Sequence, residues 1–274
     1  MKYLNVIIIF FLFFTSSKVV GQNNTFENEV LSKCIHGQSI SNVTNFEINL
    51  THEKTISDDG CLVVKETNEI PSKTKDRIVK ITVHPGYCSR DDSWDDCSHD
   101  RSRVEFYDKQ GVQSGNKVIY EYSMYIPEKV DLLQNGYPTV FLGQLNSVSD
   151  KLYSSLVMLK YKKNVGLVFQ TYNNFNWSIS RRTSLNKKIP KFEMYDKWIS
   201  IKYEVDVFPD ERGKLKIYVN NSKIFERLNH PTIKEGGRVR LKMGIYNNGI
   251  TLMRKPRSSQ IIFFDDIKRK ILSY

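Results

Sequence analysis

The stretch Arg238–Asn248, RVRLKMGIYNN, decides the fold class and frames the question of function. In an extended strand successive side chains point to opposite faces, so Val239, Leu241, Met243 and Ile245 line one side. Arg238, Arg240, Lys242, Gly244 and Tyr246 line the other. The first side is a core. The second is basic, carries a phenol and reads as having a gap at Gly244. Such a face suits a flat anionic ligand better than bulk water.

The same grammar runs along the chain. From Lys80 onward short alternating runs are separated by Gly, Pro, Asn and Asp, with no sustained 3.6-residue period. The clearest pair is WISIKYEVDVF from Trp198 and KLKIYVNNSKIF from Lys214, joined by the turn-forming PDERG. In the first run Ile199, Ile201, Tyr203, Val205 and Val207 alternate with Ser200, Lys202, Glu204 and Asp206, which is a hairpin strand with one wet face. Further strands are expected in DRIVKITVH, RVEFYD, KVIYEYSMYI, TVFLGQLN, SLVMLKYK, NVGLVFQTYN and SQIIFFDDIKR. The chain is therefore expected to be all-β, a sandwich or jelly roll. Residues 76–274 suit one large β domain, and the polar residues 22–75 read as an extension stapled onto it.

Residues 1–21, MKYLNVIIIFFLFFTSSKVVG, have the form of a signal peptide: Lys2, an apolar run from Val6 to Phe14, and small residues before a cut after Gly21. That run is too short to span a bilayer comfortably, and no other segment is apolar enough to do so, so a secreted, extracellular protein with no membrane contact after cleavage is expected. Four cysteines fit export. Cys34, Cys61, Cys88 and Cys97 allow three connectivities, of which the local pairing Cys34 with Cys61 and Cys88 with Cys97 is expected. Zinc is the rival reading, but neither spacing is a C-x2-C knuckle. Asn23, Asn42, Asn49, Asn176 and Asn220 each open an N-x-S/T glycosylation sequon. The formal charge is +11, and removing Lys2 and Lys18 with the signal (11 − 2) leaves +9. A basic exported domain is expected to meet polyanions, and outside the cell an acidic polysaccharide fits that role better than nucleic acid.

Three stretches place complementary polar groups on one strand face: Arg103 and Glu105 in DRSRVEF, Gln144 and Asn146 in FLGQLN, and Lys242 and Tyr246 in LKMGIYNN. If their strands are neighbours in a concave sheet, the polar faces converge on one groove. In this order they resemble the jelly-roll polysaccharide lyases: the alginate lyases, glucuronan lyases and heparin-lyase-I-like enzymes. Those families carry an arginine-x-glutamate element, a glutamine-x-histidine element and a C-terminal lysine-x-glycine-x-tyrosine. The similarity runs from about His84 to the end, where FFDDI at Phe263 to Ile267 looks like the family's final strand.

The resemblance implies a concanavalin-like β-jelly roll with a concave substrate groove, and cleavage beside a uronic acid by removal of the C5 proton and expulsion of the C4 oxygen. Such a site must neutralise the neighbouring carboxylate, place a base near C5 and offer a proton to the leaving oxygen. Gln144, Asn146 and Arg103 are suited to the first task and Tyr246 to the last. Lys242 would hold substrate and lower the pKa of Tyr246, letting the phenol also act as base. Asn146 departs from the pattern, because an amide cannot usefully accept a proton where relatives have histidine. His84, in ITVHPGY, is the expected replacement base, with His99 second. Glu105, Arg240, Tyr172, on the face of Gln170, and the rim residues Arg181 and Arg182 are candidate sugar contacts.

No cofactor is required by this chemistry, and the chain is expected to act as a monomer. The loop CSRDDSWDDC, with Asp91, Asp92, Asp95 and Asp96, is a calcium candidate whose spacing matches no EF-hand. Two other functions fit parts of the sequence. A non-catalytic lectin-like sugar-binding protein would keep the basic aromatic groove without a base. A hydrolase of the laminarinase type is suggested by EVDVF, yet Phe208 and Pro209 stand where its further glutamate would be.

Overall fold

The alternating runs become strands, and two sheets divide them. A computed structural model describes residues 30–34, 48–50, 59–67, 70, 72–73, 77–84, 87–88, 95–128, 130, 132, 139–149, 152–162, 165–172, 182–190, 193–248 and 258–274. In chain order the strands are β1 (Val30–Lys33), β2 (Ile48–Leu50), β3 (Cys61–Val64), β4 (Ile78–Val83), β5 (Arg101–Asp108), β6 (Val112–Gln113), β7 (Asn116–Tyr125) and β8 (Thr139–Ser149). They continue with β9 (Leu152–Lys162), β10 (Gly166–Tyr172), β11 (Arg182–Ile189), β12 (Trp198–Val207), β13 (Lys214–Val219), β14 (Ser222–Arg227), β15 (Arg238–Asn248) and β16 (Gln260–Ser273). One sheet runs β1-β3-β4-β16-β7-β12-β13-β14. The other, named the groove sheet because it carries the three polar pairs expected to line a groove, runs β11-β10-β9-β8-β15-β5-β2, with β6 paired to β15. All of these pairings are antiparallel, giving the two-sheet jelly-roll sandwich the sequence led one to expect.

The inward side chains alternate as the sequence pattern requires. Val239, Leu241, Met243 and Ile245 of β15 are all fully buried, in one core with Phe106 and Phe169 of their own sheet and with Phe264 and the buried tyrosines Tyr120, Tyr122 and Tyr203 of the other. Burying an aliphatic side chain contributes about 1.5–3 kcal/mol. A one-residue slip of β15 would expose all four, so its register, and hence the outward placing of Lys242 and Tyr246, is fixed by the core. Where Tyr120, Asp108 and Arg269 meet, the sheets are also tied by polar contacts. The Tyr120 hydroxyl donates to Asp108 at 2.7 Å, and Arg269 donates to the same carboxylate at 2.7 Å.

Two features differ from the sequence reading. The run KLKIYVNNSKIF is two strands, β13 and β14, because Asn220 and Asn221 both adopt positive φ and turn the chain. The strands at Val30–Lys33, Ile48–Leu50 and Cys61–Val64, from the region read as an extension, pair directly into both sheets. Both disulfides, Cys34–Cys61 and Cys88–Cys97, form as expected. Residues 1–21, Asn23, Asn42, Asn176 and Arg181 lie outside the described residues. Asn49 stands opposite Tyr107 in β2, and Asn220 sits in the β13–β14 turn.

Gly244 is explained by the backbone, not by a gap left for a ligand. Its φ is +143°, and a Cβ there would lie 2.2 Å from the Val104 carbonyl oxygen and 2.7 Å from the Glu105 Cα. Gly244→Ala is therefore expected to lose at least about 2 kcal/mol of stability through strain at this φ and the displaced backbone, measured by chemical denaturation. An unchanged denaturation midpoint would show that the strands can separate there without cost.

Candidate active site on the groove sheet

The outward face of the groove sheet collects Arg103, Glu105 and Tyr107 from β5, Arg240, Lys242 and Tyr246 from β15, Gln144 and Asn146 from β8, Lys160 from β9, and Gln170 and Tyr172 from β10. The register makes this so: Lys242 stands opposite both Tyr107 and Gln144, Arg240 opposite Asn146, and Tyr246 opposite both Arg103 and Phe141. The three polar pairs read from sequence are therefore brought together on adjacent strands.

Across these strands runs a row of four side chains. The Arg103 guanidinium lies 4.9 Å from the Tyr246 ring, the Tyr246 and Phe141 rings are 5.0 Å apart at 33°, and the Lys160 ammonium lies 4.7 Å from the Phe141 ring. Both cations have anchors. Arg103 is gripped by Asp96, and Lys160 donates to Gln170 at 2.6 Å. Burial raises the pKa of the Tyr246 phenol; Glu105 and Asp96 add to the rise, while Arg101 and Arg103 oppose it. This corrects the expectation that Lys242 lowers it. The Lys242 ammonium instead lies 5.5 Å and 5.4 Å from the rings of Tyr107 and Tyr153.

Beside that row the amides are already engaged. Gln144 donates to Glu105 at 3.0 Å, keeping one N–H for another partner. Asn146, fully buried, donates to the Tyr153 hydroxyl at 2.6 Å and accepts from Ser155 at 2.8 Å. Arg240 lies 5.0 Å and 5.3 Å from the Tyr107 and Tyr153 rings. Neither Arg240 nor Lys242 has a carboxylate partner among the described residues. Tyr172 closes one end, its hydroxyl 3.2 Å from the Met158 sulfur, and pairs in register with Arg182.

The candidate bases His84 and His99 fall elsewhere. His84 directly follows β4, in the other sheet, with one ring nitrogen 2.8 Å from Ser259 and the other 2.8 Å from Asp59. His99 is exposed in the turn before β5, bonded to the Asp95 carbonyl at 2.7 Å. Glu204 of EVDVF is on the other sheet too, between Lys117 and Lys202 at 3.2 and 3.1 Å. In the aspartate loop, Asp95 accepts from the backbone of Cys97 and Ser98. Among the described residues no cluster of three His, Cys, Asp or Glu stands together.

Residues 57–268 match the family model of the polysaccharide lyases. The chain belongs to that family. Among solved structures this polysaccharide lyase is similar to an endo-β-1,4-glucuronan lyase from the fungus Trichoderma reesei, at a TM-score of 0.56 and 14% identity over 89% of this chain and 96% of that one. It is similar to the alginate lyase Aly36B at 0.52 and 10% over 80% and 84%. It is also similar to a marine alginate lyase from Aplysia kurodai at 0.50 and 17% over 79% and 88%. At such identities the likeness speaks for the fold. No curated protein is similar in sequence.

Sequence reasoning missed Tyr107, Phe141, Tyr153 and Lys160, and named Asp96 only as part of a calcium-candidate loop. Tyr107 was within reach of the period-2 rule, four residues after Arg103. Asn146→Ala is expected to cost about 1–3 kcal/mol, because it strands two partners of a buried amide, and denaturant melts would register it. A neutral result would mean that water replaces the amide.

Proposed function

We propose that the chain is a secreted polysaccharide lyase that cleaves a uronic-acid-containing polysaccharide by β-elimination, acting as a monomer with Tyr246 as its acid/base group. One observation carries the reading: Lys242, 7% exposed, and Arg240 stand on the groove face between Tyr107 and Tyr153 without a carboxylate partner among the described residues. Cations withdrawn from water without a counter-charge are costly, so the site is built to receive an anion. A uronate carboxylate lying on Lys242 and on the remaining Gln144 N–H is neutralised there, which acidifies the C5 proton.

With no described histidine on the groove face, one phenol serves both steps. The phenolate form of Tyr246 takes the C5 proton; the C5–H electrons form the C4=C5 double bond as the C4–O bond breaks; the regenerated phenol returns the proton to the leaving oxygen. Protons balance and no water is consumed. The glucuronan and alginate named for the similar structures make both polymers first candidates.

The committed engagement of Asn146 with Tyr153 and Ser155 favours a second reading, a glycan-binding protein without turnover. A panel of alginate, glucuronan, heparin, heparan and hyaluronan separates the two. The ultraviolet absorbance of the unsaturated uronate should appear with one polymer, whereas binding without absorbance supports the second reading. On the polymer that is cleaved, Tyr246→Phe should lower kcat by about 10²- to 10⁴-fold while folding and binding persist. Turnover within a few-fold of the parent would remove Tyr246 from the chemistry.

Because burial raises the phenol's pKa, the phenolate fraction grows with alkalinity, so kcat/KM should climb with pH above neutrality. A flat profile would point to another base. Binding should also weaken between low and moderate salt, since ions screen charges over roughly 8–10 Å.

A further inference from the structure

Arg103 does not offer its Nε–Nη2 edge to substrate, because Asp96 fills it. Its Nε and Nη2 donate to the two carboxylate oxygens of Asp96 at 2.6 and 2.5 Å, and Asp96 is wholly buried. This bidentate geometry fixes the guanidinium in position and in plane. Asp96 is itself fixed. Its carbonyl accepts from the backbone of Arg101 at 2.8 Å and His99 at 3.2 Å, and the next residue, Cys97, is bonded to Cys88.

We propose that Asp96 is a positioning residue for Tyr246: anchored by its turn and the Cys88–Cys97 disulfide, it holds Arg103 over the Tyr246 ring and so sets where the phenol stands in the groove. The catalytic half of this inference rests on the lyase reading of the groove. Geometrically the chain of contacts is complete, from disulfide to turn, from carboxylate to guanidinium, and from guanidinium to ring at 4.9 Å. On its other side the ring is backed by Phe141, so the phenol is held from both neighbouring strands. Positioning of this kind matters because a displacement of about 1 Å at a reacting group can cost about 10²-fold in rate.

Asp96 also acts through charge. The charged groups around Tyr246 are Arg101, Arg103 and Glu105 on β5, Asp96 in the turn, Lys160 beyond Phe141 on β9, and Lys242 on its own strand. Asp96 and Glu105 disfavour the phenolate, and Arg101 and Arg103 favour it. Removing the Asp96 charge leaves more of the Arg103 charge uncompensated, so the phenol should ionise at lower pH.

The test uses the full chain carrying tyrosine labelled with ¹³C at the ring carbon bearing the hydroxyl, with Tyr246→Phe to assign the resonance. In Asp96→Asn, which keeps shape and loses charge, the Tyr246 resonance should titrate at lower pH than in the parent. The alkaline rise of kcat/KM should move with it. In Asp96→Ala, which also releases Arg103, kcat/KM should fall by about 10²-fold. A merely structural Asp96 would scale the rate without moving the titration. An unmoved Tyr246 midpoint in folded Asp96→Asn overturns the proposal. Should Asp96→Ala fail to fold, Asp96→Asn still decides. Should the parent cleave no polymer, the lyase reading fails, while the resonance still judges the link from Asp96 to Tyr246.

Discussion

The groove depends on one close approach of backbones. At Gly244 β15 runs against β5 so tightly that a side chain on its Cα would strike the Val104 carbonyl. Only glycine tolerates φ of +143° at that point without strain. The same place holds an irregularity in pairing with β8: four residues from Met243 to Tyr246 oppose three from Gly143 to Phe141. Beside it, β8 carries its own extra residue against β9 between Phe141 and Gly143. Bulges re-aim side chains and bend the strand. Here the two adjacent bulges set Tyr246 and Phe141 side by side, between Arg103 and Lys160.

That arrangement divides the groove's cations into two kinds. Arg103 and Lys160, at the ends of the aromatic row, have Asp96 and Gln170 and so serve as braces. Arg240 and Lys242, one step along β15, have rings for neighbours and no acid among the described residues. A cation over an aromatic ring gains about 0.5–2 kcal/mol. Withdrawing an ion from water costs several kcal/mol, so the rings offset part of that penalty and leave the rest for an anion to relieve. Glu105 does not relieve it. Its carboxylate accepts from Gln144 and stands 3.8 Å from Arg103, so it belongs to the braced half.

The strand faces were legible because alternation in β5, β8 and β15 is enforced by the core, as Val104, Leu145 and Leu241 show. From there Gln144, Asn146, Lys242 and Tyr246 follow. Phe141 was not legible: counted back from Gln144 by twos it lands on the core face, and only the extra residue between them turns it outward. The Asp96 partner of Arg103 and the role of Gly244 were not legible for a related reason. Period-2 reasoning reports which face a residue occupies and nothing about a partner seven residues away in a disulfide loop, or about a backbone across the sheet. His84 illustrates the same limit. Its sequence position beside the arginine element hid the fact that β4 belongs to the other sheet, where its two nitrogens clip Ser259 and Asp59.

That no described histidine stands on the groove face bears on stereochemistry. A lyase with separate base and acid can draw the C5 proton from one face of the sugar and deliver a proton to O4 on the other. On the reading proposed above, Tyr246 is the only group assigned to both transfers, and its ring is held between Arg103 and Phe141, which restricts how far the hydroxyl can travel. A single stationary phenol can reach C5 and O4 in turn only when the C5 hydrogen and the C4 oxygen lie on the same face of the ring. The epimer at C5 presents them on opposite faces and would require a second group. On the proposed reading, the bracing of one tyrosine thus constrains which uronates the groove would cleave, whatever polymer carries them.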